Sequence, residues 1–161
     1  LLAVKLVTRE RGNFKLLVLG SSRPRVRRQL ERLVSMLGLK DNVVILGYMP
    51  RFESFNVRSK AKVTMYPSHV DSYSYVVAEQ LLMGVPVVAY DIPALKLNYG
   101  TIEGLYLVPE GDIEALAQKT LELLEAKKVE VETPKVKLNE QVALEEKIVI
   151  TKIVERRGDA I

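Results

Sequence analysis

The sequence predicts an α/β fold: a parallel sheet with helices on both faces. Three observations carry this. Short apolar runs alternate with longer helical stretches through most of the chain, as in strands joined by helical crossovers. The runs lack the in-out alternation of a half-exposed strand, as expected where both faces are covered. Glycine or proline stands at many of the junctions.

Leu1 to Arg11 reads as the end of a helix, with Leu2, Leu6 and Val7 apolar and Ala3 beside Val7, broken by Gly12 and Asn13. Lys15 to Gly20 is a buried strand running into a Gly-Ser-Ser turn. Pro24 to Leu37 is an amphipathic helix with Val26, Leu30, Leu33, Val34 and Leu37 on one stripe. Pro24 suits its first turn and Gly38 its end. Asn42 to Gly47 is the next strand, followed by the loop Tyr48-Met49-Pro50 and a short helix through Phe52, Phe55 and Val57. A strand at 62–66 leads to the central stretch, and another begins at Pro86. Asp91 to Thr101 reads as an irregular loop, and Gly104 to Pro109 as a last strand. Asp112 is placed to cap a helix over 113–126 whose inner face is Leu116, Thr120, Leu123 and Leu124. The domain is expected to span 1–133. Residues 134–161 form a tail, expected to close as a helix over 138–157 on Val142, Ile148, Val149 and Ile153.

The richest stretch is P-S-H-V-D-S-Y-S-Y-V-V-A-E-Q-L-L-M-G-V-P-V-V-A-Y, from Pro67 to Tyr90. A strand exits into a loop, a helix opens near Ser72 or Ser74, and Gly84 turns the chain into the next strand. A helix start leaves backbone N–H groups unpaired and carries partial positive charge, a natural seat for a phosphate. Asp71 and Glu79 would flank such an anion and are better suited to hydroxyl groups. The plainer alternative is that Asp71 caps the helix and Glu79 faces solvent. In α/β sheets ligands gather beyond the carboxyl ends of the strands. The loops at 20–22, 47–50 and 67–74 are expected to converge there on a nucleotide-sized anion.

Composition narrows the classes. A length of 161 residues suits one domain. No apolar run approaches the ~18 residues of a membrane span, and no secretory leader is visible. A cytoplasmic location is the expectation. Leu1 is not a start methionine, which reads as a fragment. Without cysteine there is no thiol nucleophile or cysteine-ligated metal, and the single histidine, His69, makes a histidine-built site implausible. His69 is either a loop residue near the ligand or simply solvated. The net charge of +4 is compatible with anionic partners. Arg23, Arg25, Arg27, Arg28 and Arg32 crowd one helix, either as a solvated face or as a contact for an anionic membrane or a phosphate. No aromatics interleave with them, which argues against nucleic acid. Scarce Asn and Gln beside Lys, Arg and Glu lean towards a thermophile source.

Four segments in order, L-L-V-L-G-S-S, L-G-L-K-D-N-V-V-I-L-G-Y, the central stretch and G-L-Y-L-V-P-E-G-D-I-E-A-L-A, resemble the C-terminal donor-binding domain of retaining GT-B glycosyltransferases, the group 1 glycosyltransferase family. The resemblance covers roughly 1–126. It implies a Rossmann-like three-layer domain, half of a two-domain enzyme of hexosyltransferase type. The donor is a nucleoside-diphosphate sugar, transferred with retention and without a metal or other cofactor. By this resemblance Asp71 faces the donor sugar as the catalytic acidic residue, and Glu79 holds the ribose hydroxyls. The backbone of Ser72, Tyr73, Ser74 and Tyr75 meets the diphosphate. Gly20 and Ser21 border it from the other side, and Gly47, Tyr48 and Met49 lie near the base.

Departures from the family pattern are visible. Asp71 stands where glutamate is usual, Ser72 and Ser74 where glycine is frequent, and Asp91-Ile92-Pro93 replaces a glycine-containing loop. At position 74 a positive φ would strain a serine. The usual Arg/Lys pair for the leaving diphosphate and the N-terminal acceptor domain are absent from these residues, so the chain is expected to bind donor without turnover. Two rival readings are a nucleotide-sugar epimerase, poorly served by so few ionisable residues, and a non-catalytic module docking through the Arg-rich helix on an anionic membrane or a partner.

Overall fold

The structure, a computed structural model, describes residues 1–134. The expected closing helix at 138–157 lies outside the described residues. Six helices and five strands follow in chain order among those residues: α1 Leu2–Glu10, β1 Leu16–Leu19, α2 Pro24–Met36, β2 Val43–Gly47, α3 Arg51–Arg58, β3 Thr64–Tyr66, α4 Tyr75–Leu82, β4 Val87–Tyr90, α5 Pro93–Tyr99, β5 Leu105–Val108 and α6 Ile113–Glu125.

All strand pairings are parallel, as the helical crossovers between them require. The ladder is in two parts where one sheet was expected: β1 pairs with β2, and β3-β4-β5 form a second sheet with β4 in its middle. Each residue of β4 is buried, which accounts for the unbroken V-V-A-Y run. The larger core gathers around it from α1, α4, α5 and α6, including Val7, Val77, Leu81, Leu95, Leu116 and Leu123. The smaller core joins Val4, Val34, Leu39 and Val43. Met65 and Phe14 pack against both.

The coverage of β1 and β2 is one-sided. Val43 is buried and Ile45 half-buried, whereas Val44, Leu46 and Leu17 are exposed. The expected apolar stripe of α2 is likewise buried at Val34 alone, with Val26 and Leu33 half outside.

Helix ends follow their local chemistry. After α2, the Leu39 amide donates to the Val34 carbonyl at 2.9 Å and that of Gly38 to Ser35 at 3.1 Å. After α4, Val85 donates to Gln80 and Gly84 to Leu81, both at 2.9 Å. This paired closure needs a left-handed residue, and Gly38 (φ 67°) and Gly84 (φ 72°) supply it without a Cβ penalty. Asp112 caps α6, its Oδ1 accepting from the Ala115 amide at 2.8 Å.

A further expectation is corrected. The supposed loop Asp91–Thr101 contains helix α5. Pro93 opens it in the first turn, where its missing N–H costs nothing, and Ala94, Leu95 and Tyr99 are buried. Seven residues are too few for a helical period to stand out. Packing at Leu95, not the local pattern, holds the helix. Leu95→Ala should therefore cost roughly 2–5 kcal/mol, whereas Leu97→Ala, at a position 85% exposed, should stay within about 0.5 kcal/mol of wild type. Urea unfolding of the two variants checks this, and equal costs would contradict the helix.

Candidate functional site

The carboxyl ends of β1, β2 and β3 open into the three expected loops. Two of them meet directly: the Gly20 amide donates to the Gly47 carbonyl at 2.8 Å. Both glycines have positive φ, 125° and 75°. At Gly47 the Arg27 guanidinium lies where a side chain would point, 3.5 Å from an idealised Cβ. Ser21 and Tyr48 are exposed, and Gly47 and Met49 half-buried.

The third loop, after β3, ends at the start of α4. Ser74 is the residue flanking the helix, with φ 62° and ψ 55°, the left-handed conformation that strains a serine. It is the sole non-glycine residue at positive φ among the described residues. Its hydroxyl makes no capping bond. The side chain is buried, and Oγ lies near Tyr66 and Asp71 without a hydrogen bond of ordinary geometry among the described residues. A hydroxyl residue at the opening of the helix, Ser72 or Ser74, is what the sequence offers as an N-cap. That expectation is corrected, because Ser74 flanks the helix in a left-handed conformation with its side chain buried and caps no amide.

What holds this strained turn comes from α5. Asn98 Nδ2 donates to the Ser72 carbonyl at 2.9 Å, and the Tyr99 hydroxyl reaches the Tyr73 and Ser74 carbonyls at 2.8 and 3.1 Å. In a trans peptide the N–H points opposite to the C=O. Drawing these three carbonyls towards α5 therefore turns the amides of Tyr73, Ser74 and Tyr75 the other way, that of Ser74 towards the Asp71 carboxylate. Those amides belong to the end of α4 that carries partial positive charge. Tyr73 is half-buried with its ring 4.8 Å from that of Tyr75, which is exposed, and Ser72 is exposed. Burial first, and the neighbouring Tyr73 second, push the Tyr99 hydroxyl well above its ordinary range, so it stays a proton donor.

Asp71 sits at the rim of this mouth. Its Oδ2 accepts from the Tyr66 hydroxyl and its Oδ1 from the Ser72 amide at 2.6 Å. The Tyr66 bond, above all, holds the carboxyl below its ordinary range. Tyr66 is shifted upward, by burial first and by its bond to Asp71 second. Glu79 stands in the second turn of α4 and is bound to α3. Arg58 Nη2 is 2.7 Å from Oε2, and Arg51 Nη2 is 3.7 Å from Oε1. Both guanidinium groups lie over the Phe55 ring, at 4.9 and 5.3 Å. Glu79 is therefore neither a bare solvated acid nor a buried one. His69 is bonded to Glu110 at 2.8 Å. Among the described residues no three His, Cys, Asp or Glu side chains are grouped to hold a metal ion.

The residues that sequence reasoning missed are the supporting ones: Tyr66, Arg58, Asn98 and Tyr99. Arg51, Phe55 and Arg58 did carry a signal, since spacings of four and three residues put them on one helix face.

Two predictions follow from the turn and its rim. Left-handed backbone at a non-glycine residue costs roughly 1–2 kcal/mol, and the burial of a poorly paired hydroxyl adds to that. These outweigh the roughly 0.5–1 kcal/mol of extra chain entropy that glycine brings. Ser74→Gly should thus stabilise the fold by about 1 kcal/mol, raising Tm by about 4 °C, and a fall in Tm would contradict the account. For Asp71, the folded-state pKa lies below the ordinary value of 3.8. Its bond with Tyr66 therefore contributes fully above that value, and the contribution drains as pH falls through the lowered folded pKa. In Tyr66→Phe the Asp71 carboxyl resonance should titrate at higher pH than in wild type, followed by NMR.

The pattern of the family described as "Glycosyl transferases group 1" matches residues 1–126. A curated relative from Streptomyces coelicolor, named exopolysaccharide phosphotransferase SCO2592, is 37% identical over 100 residues, which is 60% of this chain and 10% of that protein. The sucrose-phosphate synthase of Thermosynechococcus elongatus has a similar structure, with TM-score 0.68 and 27% identity over 76% of this chain and 32% of that one. Anabaena Alr3699/HepE in complex with UDP-glucose shares the fold at TM-score 0.66 and 19% identity, over 77% of this chain and 34% of that one. The chain thus spans about a third or less of each of these proteins.

Proposed function

We propose a function for a chain that belongs to the group 1 glycosyl transferases: it is the half of the enzyme that grips a nucleoside-diphosphate sugar, in a reaction that passes the sugar to an acceptor with retention. The observation that carries this is the turn at 72–74, whose carbonyls are held by Asn98 and Tyr99. The amides so aimed form a seat for the diphosphate, where oriented N–H groups meet the charge that grows on the leaving group. Asp71 faces the sugar and Glu79 the ribose hydroxyls, the roles that the family pattern assigns to these positions. The paired loops at Gly20–Ser21 and Gly47–Met49 border the diphosphate and the base. UDP-glucose in the HepE complex supports a nucleotide sugar as the ligand. The reading requires no metal. For the 161 residues alone it is donor binding without turnover, because positioning an acceptor takes a second domain.

Thermal unfolding with UDP, ADP or GDP tests the reading. At a hundredfold excess over Kd a bound nucleotide adds about 2.7 kcal/mol, a shift of several degrees. Glu79→Ala should lose most of it. Stabilisation by none of the three would remove the donor reading.

A second reading concerns location, and α2 favours it. No helix among the described residues is long and apolar enough to cross a membrane. Yet Val26, Leu33 and Met36 are exposed beside Arg23, Arg25, Arg28 and Arg32. Apolar and cationic groups on one exposed helix suit the surface of an anionic bilayer. Sedimentation with phosphatidylglycerol vesicles, against phosphatidylcholine as control, should show binding lost in Arg25→Glu/Arg28→Glu.

A further inference from the structure

We propose that Arg58 is a positioning residue that pre-sets Glu79 for the ribose and so makes the site selective for ribonucleotides. The inference rests on the donor-binding reading above. Its starting point is local: Arg51, Phe55 and Arg58 recur along one face of α3, the helix that follows the Gly47–Met49 loop. The Phe55 ring lies beneath both guanidinium groups, a contact that restricts their motion.

The two arginines act unequally on Glu79. Arg58 is 15% exposed and takes Oε2 at 2.7 Å, whereas Arg51 is 82% exposed and stands 3.7 Å from Oε1. The first is a charge-assisted bond in a partly desolvated place. The second is beyond hydrogen-bond range and exchangeable with water. A carboxylate offers about four acceptor positions. Arg58 occupies one, pins the rotamer, and leaves Oε1 open to a hydroxyl pair. A free glutamate would have to freeze its side-chain rotors on binding; here that ordering is done in advance. Because α3 follows directly from the loop assigned to the base, the same contact ties the ribose acid on α4 to the base side of the site. Arg58 touches no ligand in this scheme; it acts through Glu79.

The 161-residue chain is titrated calorimetrically with UDP, ADP and GDP and with their 2′,3′-dideoxy counterparts. For the best ribonucleotide, wild type should prefer the ribo form about tenfold, the worth of one hydrogen bond to a charged group. Arg58→Gln should bring the preference to about twofold or less, as Glu79→Ala does, with dideoxy affinity unchanged. Arg51→Ala should keep the wild-type preference. Circular dichroism checks folding, and if the Gln variant is unfolded, Arg58→Met, which keeps an unbranched stem against Phe55, carries the same expectation. A preference that survives loss of the guanidinium overturns the inference, as does a wild type that binds ribo and dideoxy forms alike. A wild type that binds none of the ribonucleotides removes the donor reading itself and this inference with it.

Discussion

Three consecutive carbonyl oxygens, those of Ser72, Tyr73 and Ser74, are held by two neighbouring side chains of α5, and the site depends on that restraint. A serine at φ 62° does not stay there on its own preference. The backbone is kept left-handed because the alternative would unpair the Tyr99 hydroxyl in a buried place, at a cost comparable to the strain. In return the peptide planes are locked with their amides facing away from α5. Strain, buried phenol and helix mouth are one arrangement.

The framework for this restraint is β4 and its surroundings. A fully buried strand fixes where α5 begins, and Leu95 seats α5 against the core. The last turn of α5 then comes to the loop after β3. On the other flank α3 reaches α4 through Arg58 and Glu79. The 72–75 turn is thus supported from α5 behind and from α3 at the side, while Asp71 is tied to Tyr66 at the end of β3. Rigid supports around a strained loop are what a site for preorganised electrostatics requires.

The chain is less closed around β1 and β2. Leu17, Val44 and Leu46 expose an apolar face that parallel strands normally cover. The alternation of buried and exposed residues along β2 was not visible in N-V-V-I-L-G, because an all-apolar run reads the same whichever face is covered. The same ambiguity hid the division of the ladder into two parts. Apolar runs announce strands but do not say which strands bond to one another.

Much was legible because it is written in local chemistry. Pro24 and Gly38 bracket α2, Gly84 closes α4 and Asp112 caps α6; each acts through its own φ preference or its own short side chain. The helix start between Asp71 and Glu79 was legible for the same reason: a helix mouth is made by neighbours in sequence. Helix α5, Asn98 beside Ser72, and Arg58 beside Glu79 could not be found that way. Arg58 and Glu79 stand 21 residues apart, and Asn98 and Ser72 stand 26 apart. Contacts of that range are chosen by packing, which sets the angles between helices and strands, and no periodicity in the chain encodes those angles.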